Sequence, residues 1–220
     1  MSKLFFLDMD GTMIDSNGIW KDVDVRFLAR RGMEYSRAYY EGVAHTIFPL
    51  AAQFTKEFCS LEESCEEIMQ EWMDLAQGLY STVSIKPGVR AFLEQCRNQG
   101  IHMVLVTSSV PEHCRTAMAH LHLTDFFDSI VFAQELGLEK KDPEIWRTVA
   151  GQHNTEPENC IVFDDSLSAC KGAKAAGMQV VGVYDSFFAA DEREMRSFCD
   201  VYIQSFEELL YLPEQKARRR

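Results

Sequence analysis

Short, uninterrupted apolar runs constrain the fold of this 220-residue chain more than any other feature. A run that lacks polar alternation and ends at polar or turn residues is typical of a strand buried on both faces, as in a parallel sheet. The clearest runs are residues 4–7, 103–106, 160–163 and 180–183, and residues 130–132 and 201–203 are weaker candidates. Helical segments separate them. The sequence therefore predicts an α/β fold with a Rossmann-like, doubly wound parallel-sheet core.

Residues 16–85 interrupt this alternation with helical periodicity alone. One stretch places Ile68, Trp72, Leu75 and Leu79 on a single helix face. Ser60 and Glu63, spaced three apart just before it, predict a capping box at the start of that helix. We expect residues 16–85 to form an α-helical cap domain, inserted into a catalytic core of residues 1–15 and 86–220.

Charge and cysteine content narrow the possible partners and setting. The chain has 34 acidic against 22 basic residues, a net charge of −12, which argues against nucleic acid or an anionic membrane as partner. Its seven cysteines contain no C-x-x-C pair and mostly sit at the spacing of small core residues. No segment approaches the roughly 20 apolar residues of a membrane-spanning helix. We expect a cytoplasmic protein, and the pattern predicts no particular oligomeric state.

Polar clusters follow the predicted strands at four places along the chain. The clusters are Asp8, Asp10 and Thr12; Thr107 and Ser108; Lys140 and Lys141; and Asp164 and Asp165. Each alone could be an ordinary turn or helix cap. Together they are expected at one edge of the sheet, because the carboxyl ends of parallel strands meet there and bind ligands.

This combination of residue types suits phosphoryl transfer. Clustered carboxylates repel one another unless a hard cation lies among them, and oxygen ligands suit Mg²⁺. A cation beside a lysine and a hydroxyl forms a site for a dianionic phosphate. One carboxylate can act as a nucleophile that forms an aspartyl-phosphate, and a second carboxyl can protonate the leaving oxygen.

The segment Asp8-Met9-Asp10-Gly11-Thr12 resembles the first motif, D-x-D-G-T, of the haloacid dehalogenase (HAD) superfamily. Thr107, Lys140 and the segment Asp164-Asp165-Ser166 follow in the order and spacing of its other three motifs. Residues 164–178 are similar to the branch that contains β-phosphoglucomutase-like and phosphoglycolate phosphatase-like proteins. In that branch a helical cap is inserted just after the first motif.

The resemblance implies a role for each motif residue. Asp8 would be the nucleophile and a Mg²⁺ ligand, and Asp10 would be the general acid/base, with its backbone carbonyl also on the metal. The Thr107 hydroxyl and the Ser108 backbone N–H would bind the phosphoryl group. Lys140 would neutralise charge between Asp8 and the phosphate.

The remaining implied ligands lie in the fourth motif, and two motifs depart from the family pattern. Asp165 would ligate the metal directly, and Asp164, where this branch often has Glu, would do so directly or through water. The third motif reads Lys140-Lys141-Asp142-Pro143 rather than Lys-Pro-x-Pro. Alignment on Pro143 favours Lys140, and Lys141 stays an alternative.

The resemblance implies an enzyme that hydrolyses a small phosphate monoester, with a phosphorylated metabolite as substrate and Mg²⁺ as cofactor. A sugar phosphomutase would use the same core residues and stays the main alternative. A non-catalytic member that binds phosphate or a protein partner is a further alternative. The haloalkanoic acid dehalogenases of the same fold lack the second motif-one acid, so Asp10 argues against that activity.

Overall fold

The computed structural model describes residues 3–43 and 48–210 of the chain. The chain divides into two compact units. The first unit consists of Met1–Asn17 and Val83–Arg220, and the second unit consists of Gly18–Thr82. The inserted segment is thus shorter than residues 16–85, by two residues at one end and three at the other. The reason is a short antiparallel ribbon that pairs Ile14 with Ile85 and Asp15 with Ser84, within the first unit.

The described residues form the strands β1 (Leu4–Leu7), β2 (Ile14–Asp15), β3 (Ser84–Ile85), β4 (His102–Thr107), β5 (Ser129–Phe132), β6 (Cys160–Asp164), β7 (Gln179–Val183) and β8 (Val201–Ile203). All of these except β2 and β3 make up the main sheet, which is parallel and has the spatial order β5-β4-β1-β6-β7-β8. All six predicted strands are confirmed, whereas the β2–β3 ribbon has only two residues per strand and no apolar run that would reveal it.

Strand β1 lies in the centre of the sheet, with all four of its side chains buried. Leu7 pairs with Leu105 of β4 on one side and with Phe163 of β6 on the other. Successive side chains of β1 face opposite sides of the sheet. The ring of Phe5 stacks on Phe92, and the ring of Phe6 packs against Trp146.

Phe92 and Trp146 both belong to helices, so helices cover both faces of the sheet, which confirms the doubly wound core. The helices of the first unit are α5 (Val89–Asn98), α6 (Pro111–His120), α7 (Ala133–Leu136), α8 (Pro143–Gln152), α9 (Leu167–Ala175), α10 (Glu192–Phe198) and α11 (Glu207–Leu210). Short 3-10 helices occupy Thr124–Phe126, Pro157–Asn159 and Ser186–Asp191.

The second unit is helical throughout its regular structure. Its helices are α1 (Ile19–Arg30), α2 (Arg37–Val43), α3 (Phe48–Cys59) and α4 (Cys65–Tyr80). The ring of Trp72 packs edge-on against Phe27 and Phe48, which joins α4 to α1 and α3. In the described ranges, every helix falls short of the length or apolar content that a membrane-spanning helix requires.

Helix α4 begins four residues later than the sequence pattern predicts. The capping box is formed by Ser64 and Glu67: the Glu67 N–H donates to Ser64 Oγ over 3.2 Å, and the Ser64 N–H donates to Glu67 Oε2 over 2.7 Å. The predicted box of Ser60 and Glu63 is wrong, because Ser60 has a φ of 53° and lies just after the end of α3. Both serines have a glutamate three residues later, so spacing alone does not separate them.

A buried polar contact joins three helices of the second unit. The Tyr39 hydroxyl lies 2.9 Å from Thr55 Oγ1 and 3.4 Å from an oxygen of Asp24, and the Tyr39 side chain is fully buried. Burial raises the pKa of Asp24 to about 6, although the Tyr39 hydrogen bond works in the opposite direction. Asp24 thus keeps its proton more readily in the folded protein than an exposed aspartate does.

Candidate active site

Three buried carboxylates meet where β1 and β6 end. Each of Asp8, Asp164 and Asp165 has a carboxylate oxygen within 4.8 Å of those of the other two, and we call these residues the acid cluster. The Asp8 N–H donates to the Phe163 carbonyl over 3.0 Å, which extends the pairing of β1 and β6 by one residue. The parallel register therefore brings acids that are more than 150 positions apart into one group.

Lys140 lies against the acid cluster. Its ammonium donates to Asp8 Oδ1 over 2.6 Å and to Asp164 Oδ2 over 2.8 Å. Lys141 instead has a side chain that is 68% exposed and pairs with Glu139. Of the two candidate lysines, the geometry therefore favours Lys140.

Contacts with two helices fix the backbone of Lys140. The Trp146 indole N–H, from α8, donates to the Lys140 carbonyl over 2.8 Å. Gly172, in α9, approaches the same carbonyl so closely that a Cβ at this position would lie 2.3 Å from its oxygen. The position of the ammonium thus depends on a hydrogen bond from one helix and a missing side chain on the other.

The acid cluster carries more negative charge than Lys140 can offset. Burial, with the charges of Asp8 and Asp164, raises the pKa of Asp165 well above its usual value. Burial also raises the pKa of Asp164 to about 6, against the opposing effect of Lys140. Burial alone would lower the pKa of Lys140, but the carboxylates of Asp164 and Asp8 raise it above its usual value.

Buried, mutually repelling carboxylates with oxygen atoms this close are a donor set that fits a hard divalent cation. Such an ion would offset the charge that one ammonium leaves uncompensated. Asp8, Asp164 and Asp165 are the described residues that could hold it.

The loop after β1 turns sharply and carries Asp10, two residues after Asp8 of the acid cluster. The Met13 N–H donates to the Met9 carbonyl over 2.9 Å, and Gly11 has a φ of 74°, which glycine adopts without strain. The Ser16 hydroxyl donates to Asp10 Oδ1 over 2.6 Å, so the orientation of this half-buried carboxyl is constrained.

Thr12 joins the same loop to the fourth motif by a reciprocal pair of hydrogen bonds. Its hydroxyl donates to Asp165 Oδ1 over 2.9 Å and accepts the Asp165 backbone N–H over 3.1 Å. Thr12 is fully buried. The last residue of the D-x-D-G-T motif therefore orients an acid of the cluster rather than facing a substrate.

Thr107 and Ser108 lie at the same edge of the sheet, at and after the end of β4. Thr107 is fully buried and two residues beyond the Leu105–Leu7 pair, and Ser108 is exposed. The Ser109 N–H donates to Thr107 Oγ1 over 3.0 Å. A serine and a glutamate three residues later, here Ser109 and Glu112, would also predict a capping box, and that prediction is wrong because α6 begins at Pro111 and its N-cap residue is Val110.

The structure thus brings Lys140 into contact with Asp8 and Asp164, places Asp165 beside them in the acid cluster, and keeps the other predicted residues at the same sheet edge. Sequence reasoning missed the polar residues that support them, namely Ser16, Asn17, Lys86 and Asp185. Ser16 and Asn17 lie four and five positions after the first motif, and this proximity was a usable signal. Lys86 and Asp185 had none, since 99 positions separate them and only the fold pairs them.

Known proteins are similar to this chain over most of its length. The family model of haloacid dehalogenase-like hydrolases matches residues 5–183. The chain is 27% identical over 181 residues to phosphorylated carbohydrates phosphatase of Thermotoga maritima, covering 81% of this chain and 84% of that protein. It is 25% identical over 208 residues to hexitol phosphatase B of Escherichia coli K12, covering 92% and 91%. A crystal structure of a putative β-phosphoglucomutase from Thermotoga maritima superposes with a TM-score of 0.83 at 25% identity, covering 94% of this chain and 96% of that one.

Proposed function

The chain belongs to the haloacid dehalogenase-like hydrolase family, and from that premise we propose that it is a Mg²⁺-dependent phosphatase of a small phosphorylated metabolite. The observation that carries the proposal is the contact of Asp8 with Lys140 inside a cluster of three buried acids. The relatives named for phosphorylated carbohydrates and for hexitol phosphates support a phosphorylated sugar or sugar alcohol as the substrate class. The free state of all seven cysteines supports a cytoplasmic setting.

In the first step, an Asp8 carboxylate oxygen attacks phosphorus and the bond from phosphorus to the ester oxygen breaks. Asp10 gives its proton to that leaving oxygen, and Ser16 holds the Asp10 carboxyl in place. Lys140, which contacts Asp8, offsets the charge of the phosphoryl oxygens as they approach. The Thr107 hydroxyl and the Ser108 N–H donate to the same oxygens.

In the second step, water attacks the phosphorus of the aspartyl-phosphate and the bond from phosphorus to the Asp8 oxygen breaks. Asp10, now ionised, takes a proton from that water. Inorganic phosphate leaves, and both carboxyl groups return to their starting states.

The residues that would hold Mg²⁺ are Asp8, Asp164 and Asp165, with the backbone carbonyl of Asp10 as a further ligand. When bound, the ion would stabilise negative charge on the phosphoryl oxygens and reduce the repulsion between the phosphate dianion and the carboxylates. The chemistry of the acid cluster supports a hard divalent ion, and the preference of oxygen ligands with retained water supports Mg²⁺.

A sugar phosphomutase is the second candidate, because the structure that superposes with a TM-score of 0.83 is of a putative β-phosphoglucomutase. The same residues would act, and a sugar hydroxyl rather than water would take the phosphoryl group from Asp8. The two activities differ only in the final acceptor, so their products distinguish them.

The test is a panel of phosphorylated sugars and sugar alcohols given to the purified full chain with Mg²⁺. Release of inorganic phosphate, abolished by EDTA and by Asp8→Asn, is the result we expect. Isomerised sugar phosphate without free phosphate, followed by ³¹P NMR, would instead identify a mutase. Neither product from the panel or from p-nitrophenyl phosphate would indicate a non-catalytic binding protein.

A further inference from the structure

A line of four hydrogen-bonded side chains runs from the acid cluster to Lys86. Asn17 lies between Asp165 and Asp185, and Lys86 contacts Asp185. We propose that Asn17 is a positioning residue, which fixes the Asp165 carboxylate for a divalent cation and is itself held by Asp185 and Lys86. The inference rests on the proposed function in so far as the acid cluster holds that cation.

The amide of Asn17 joins two carboxylates. Its Nδ2 donates to Asp165 Oδ2 over 2.8 Å and to Asp185 Oδ1 over 3.1 Å. An amide nitrogen carries two hydrogens, so each carboxylate receives one. Both partners are acceptors, and therefore only the orientation that turns the NH₂ group toward them satisfies the contact.

Asp165 is held from two sides as a result. The Thr12 hydroxyl donates to its Oδ1, and Asn17 donates to its Oδ2. With one donor on each oxygen, the carboxylate plane cannot turn without breaking a bond. Each oxygen keeps a further lone pair for a cation, because a carboxylate offers about four acceptor positions.

The first motif is shaped around this contact. A Cβ on Gly11 would lie 2.0 Å from Asn17 Nδ2 and 2.2 Å from Asp165 Oδ2. The bond between Asn17 and Asp165 therefore passes directly over the glycine, at a place where no side chain fits. Gly11 is required here for close approach as well as for its φ of 74°.

Asp185 and Lys86 anchor the other end. Asp185, only 7% exposed, accepts from Asn17 and from the Phe187 N–H at Oδ1, and from Lys86 at Oδ2 over 3.0 Å. The Lys86 ammonium also donates to the carbonyls of Gly11, over 2.5 Å, and Tyr184, over 2.7 Å.

All three hydrogens of the Lys86 ammonium thus have acceptors within the first unit, so this lysine has none to offer a phosphate. Lys86 links the carbonyl of Gly11 to Asp185, the carboxylate that holds Asn17. Lys86 and Asp185 thus fix the orientation of the Asn17 amide and add no ligand for the cation.

The test measures Mn²⁺ binding to the full chain without substrate, from the EPR signal of the free ion. Hydrogen bonds that orient a metal ligand are typically worth 10- to 100-fold in affinity, so we expect Asn17→Ala to weaken Mn²⁺ binding by about that factor. The matched control is Asn98→Ala, the same change at an exposed position near the end of α5, which should bind as the wild type does. Wild-type affinity in Asn17→Ala would overturn the proposal.

A double-mutant cycle separates positioning from general destabilisation. Asp185→Ala should weaken binding less than Asn17→Ala, and the double variant should bind no more weakly than Asn17→Ala alone, because Asp185 acts on Asp165 through Asn17. Independent, additive losses would overturn the role of Asp185. If Asn17→Ala melts far below the wild type, Asn17→Leu keeps the side-chain volume without an N–H, and unchanged Mn²⁺ affinity in that variant would equally refute the proposal.

The two proposals fail separately. A wild-type chain that binds Mn²⁺ but hydrolyses no ester would refute the phosphatase and leave the affinity comparison valid. A wild-type chain that hydrolyses esters with Mn²⁺, beside an Asn17→Ala variant of equal Mn²⁺ affinity, would refute the positioning role alone.

Discussion

The ammonium of Lys140 lies 2.6 Å from Asp8 Oδ1, although 132 positions separate the two residues in the sequence. Lys140 and Asp8 are both buried in this contact, with side-chain exposures of 11% and 5%. We expect a charge at this distance from the proposed nucleophile to act on the phosphoryl group as bonds form and break. Lys141, next to Lys140 in the sequence, is exposed. In the described part of the chain it forms an ion pair with the exposed acid Glu139 and with no other residue.

We therefore expect Lys140→Ala to lower the rate of p-nitrophenyl phosphate hydrolysis by at least about 10²-fold, since a preorganised charge at the reacting group contributes several kcal/mol. Lys141→Ala should retain most of the wild-type rate, because exposed ion pairs contribute little. Steady-state kinetics of both variants check this expectation. The reverse ranking would show that the third motif is aligned one residue too early.

Asp10 and Asp8 should be separable with a substrate that has a good leaving group. Asp10→Ala removes the proposed proton donor and acceptor, and a general acid/base typically contributes 10²- to 10⁴-fold to each step it serves. With p-nitrophenyl phosphate the first step needs little protonation, whereas the hydrolytic step needs the base for every substrate. Rapid-quench kinetics should show a burst of about one p-nitrophenol per site, followed by slow turnover.

The phosphoryl group trapped in that variant should be found by mass spectrometry on the peptide that contains Asp8. Asp8→Asn is the control and should show neither burst nor phosphopeptide. Phosphorylation of Thr107 or Ser108, or wild-type turnover by Asp10→Ala, would contradict the mechanism.

The close approach of Gly172, in α9, to Lys140 should influence activity. In Gly172→Ala the new Cβ would lie 2.3 Å from the Lys140 carbonyl oxygen, so the backbone of Lys140 and that of α9 must shift apart, which disturbs the position of the Lys140 ammonium. Overpacking of this kind typically costs 1–3 kcal/mol, and we expect the rate to fall at least about tenfold at temperatures well below the melting point. Gly151→Ala, in α8 with no atom within 4 Å of its Cβ position, should keep the rate and gain up to about 1 kcal/mol. Equal rates in the two variants would argue against a fixed Lys140 backbone.

The stability of the protein should depend on pH through Asp24. The folded protein keeps the Asp24 proton to about pH 6, whereas the unfolded chain releases it near its usual pKa of 3.8. Between these values the folded state binds more protons, so its stabilisation by this group is lost as pH rises from about 4 to about 6. At pH 7, Asp24→Asn should be more stable than the wild type by about 1 kcal/mol, after allowance for solvent screening of this partly exposed group.

Urea denaturation at pH 4 and pH 7, followed by circular dichroism, checks this difference. At pH 4 the two proteins should unfold at nearly the same urea concentration. Asp22→Asn, an exposed change in the same helix, should show no comparable difference between the two pH values. If Asp24→Asn raises the stability by the same amount at pH 4 and pH 7, titration of Asp24 is excluded as the cause.

The features that could be predicted from the sequence are those that a local pattern determines. Uninterrupted apolar runs located every strand of the main sheet, since a strand buried on both faces has no polar alternation. The D-x-D-G-T segment placed Asp8 and Asp10 after the first of them. The predicted capping box of Ser60 and Glu63 is wrong because Ser60 and Ser64 satisfy the same spacing, and only the positive φ of Ser60 distinguishes them.

The supporting contacts of the site could not be predicted, because they join positions with no local relationship. Asn17 meets Asp185 across 168 positions, and Lys86 meets the Gly11 carbonyl across 75. Nothing in the neighbourhood of Asp185 marks it as a partner of the first motif. The choice of Lys140 over Lys141 likewise depends on Trp146 and Gly172, which act on the backbone rather than through sequence spacing.

The β2–β3 ribbon has a consequence for how this architecture can vary. Asp15 pairs with Ser84, so the chain leaves the first unit and returns to it at adjacent positions. For a flexible connection, each doubling of length costs only about 0.6 kcal/mol in closure entropy. A connection that starts and ends on paired strands could be exchanged for a shorter or longer one while the ends stay paired. We therefore expect the ribbon to tolerate inserted segments of different length at this position, with no change in the residues that surround Asp8.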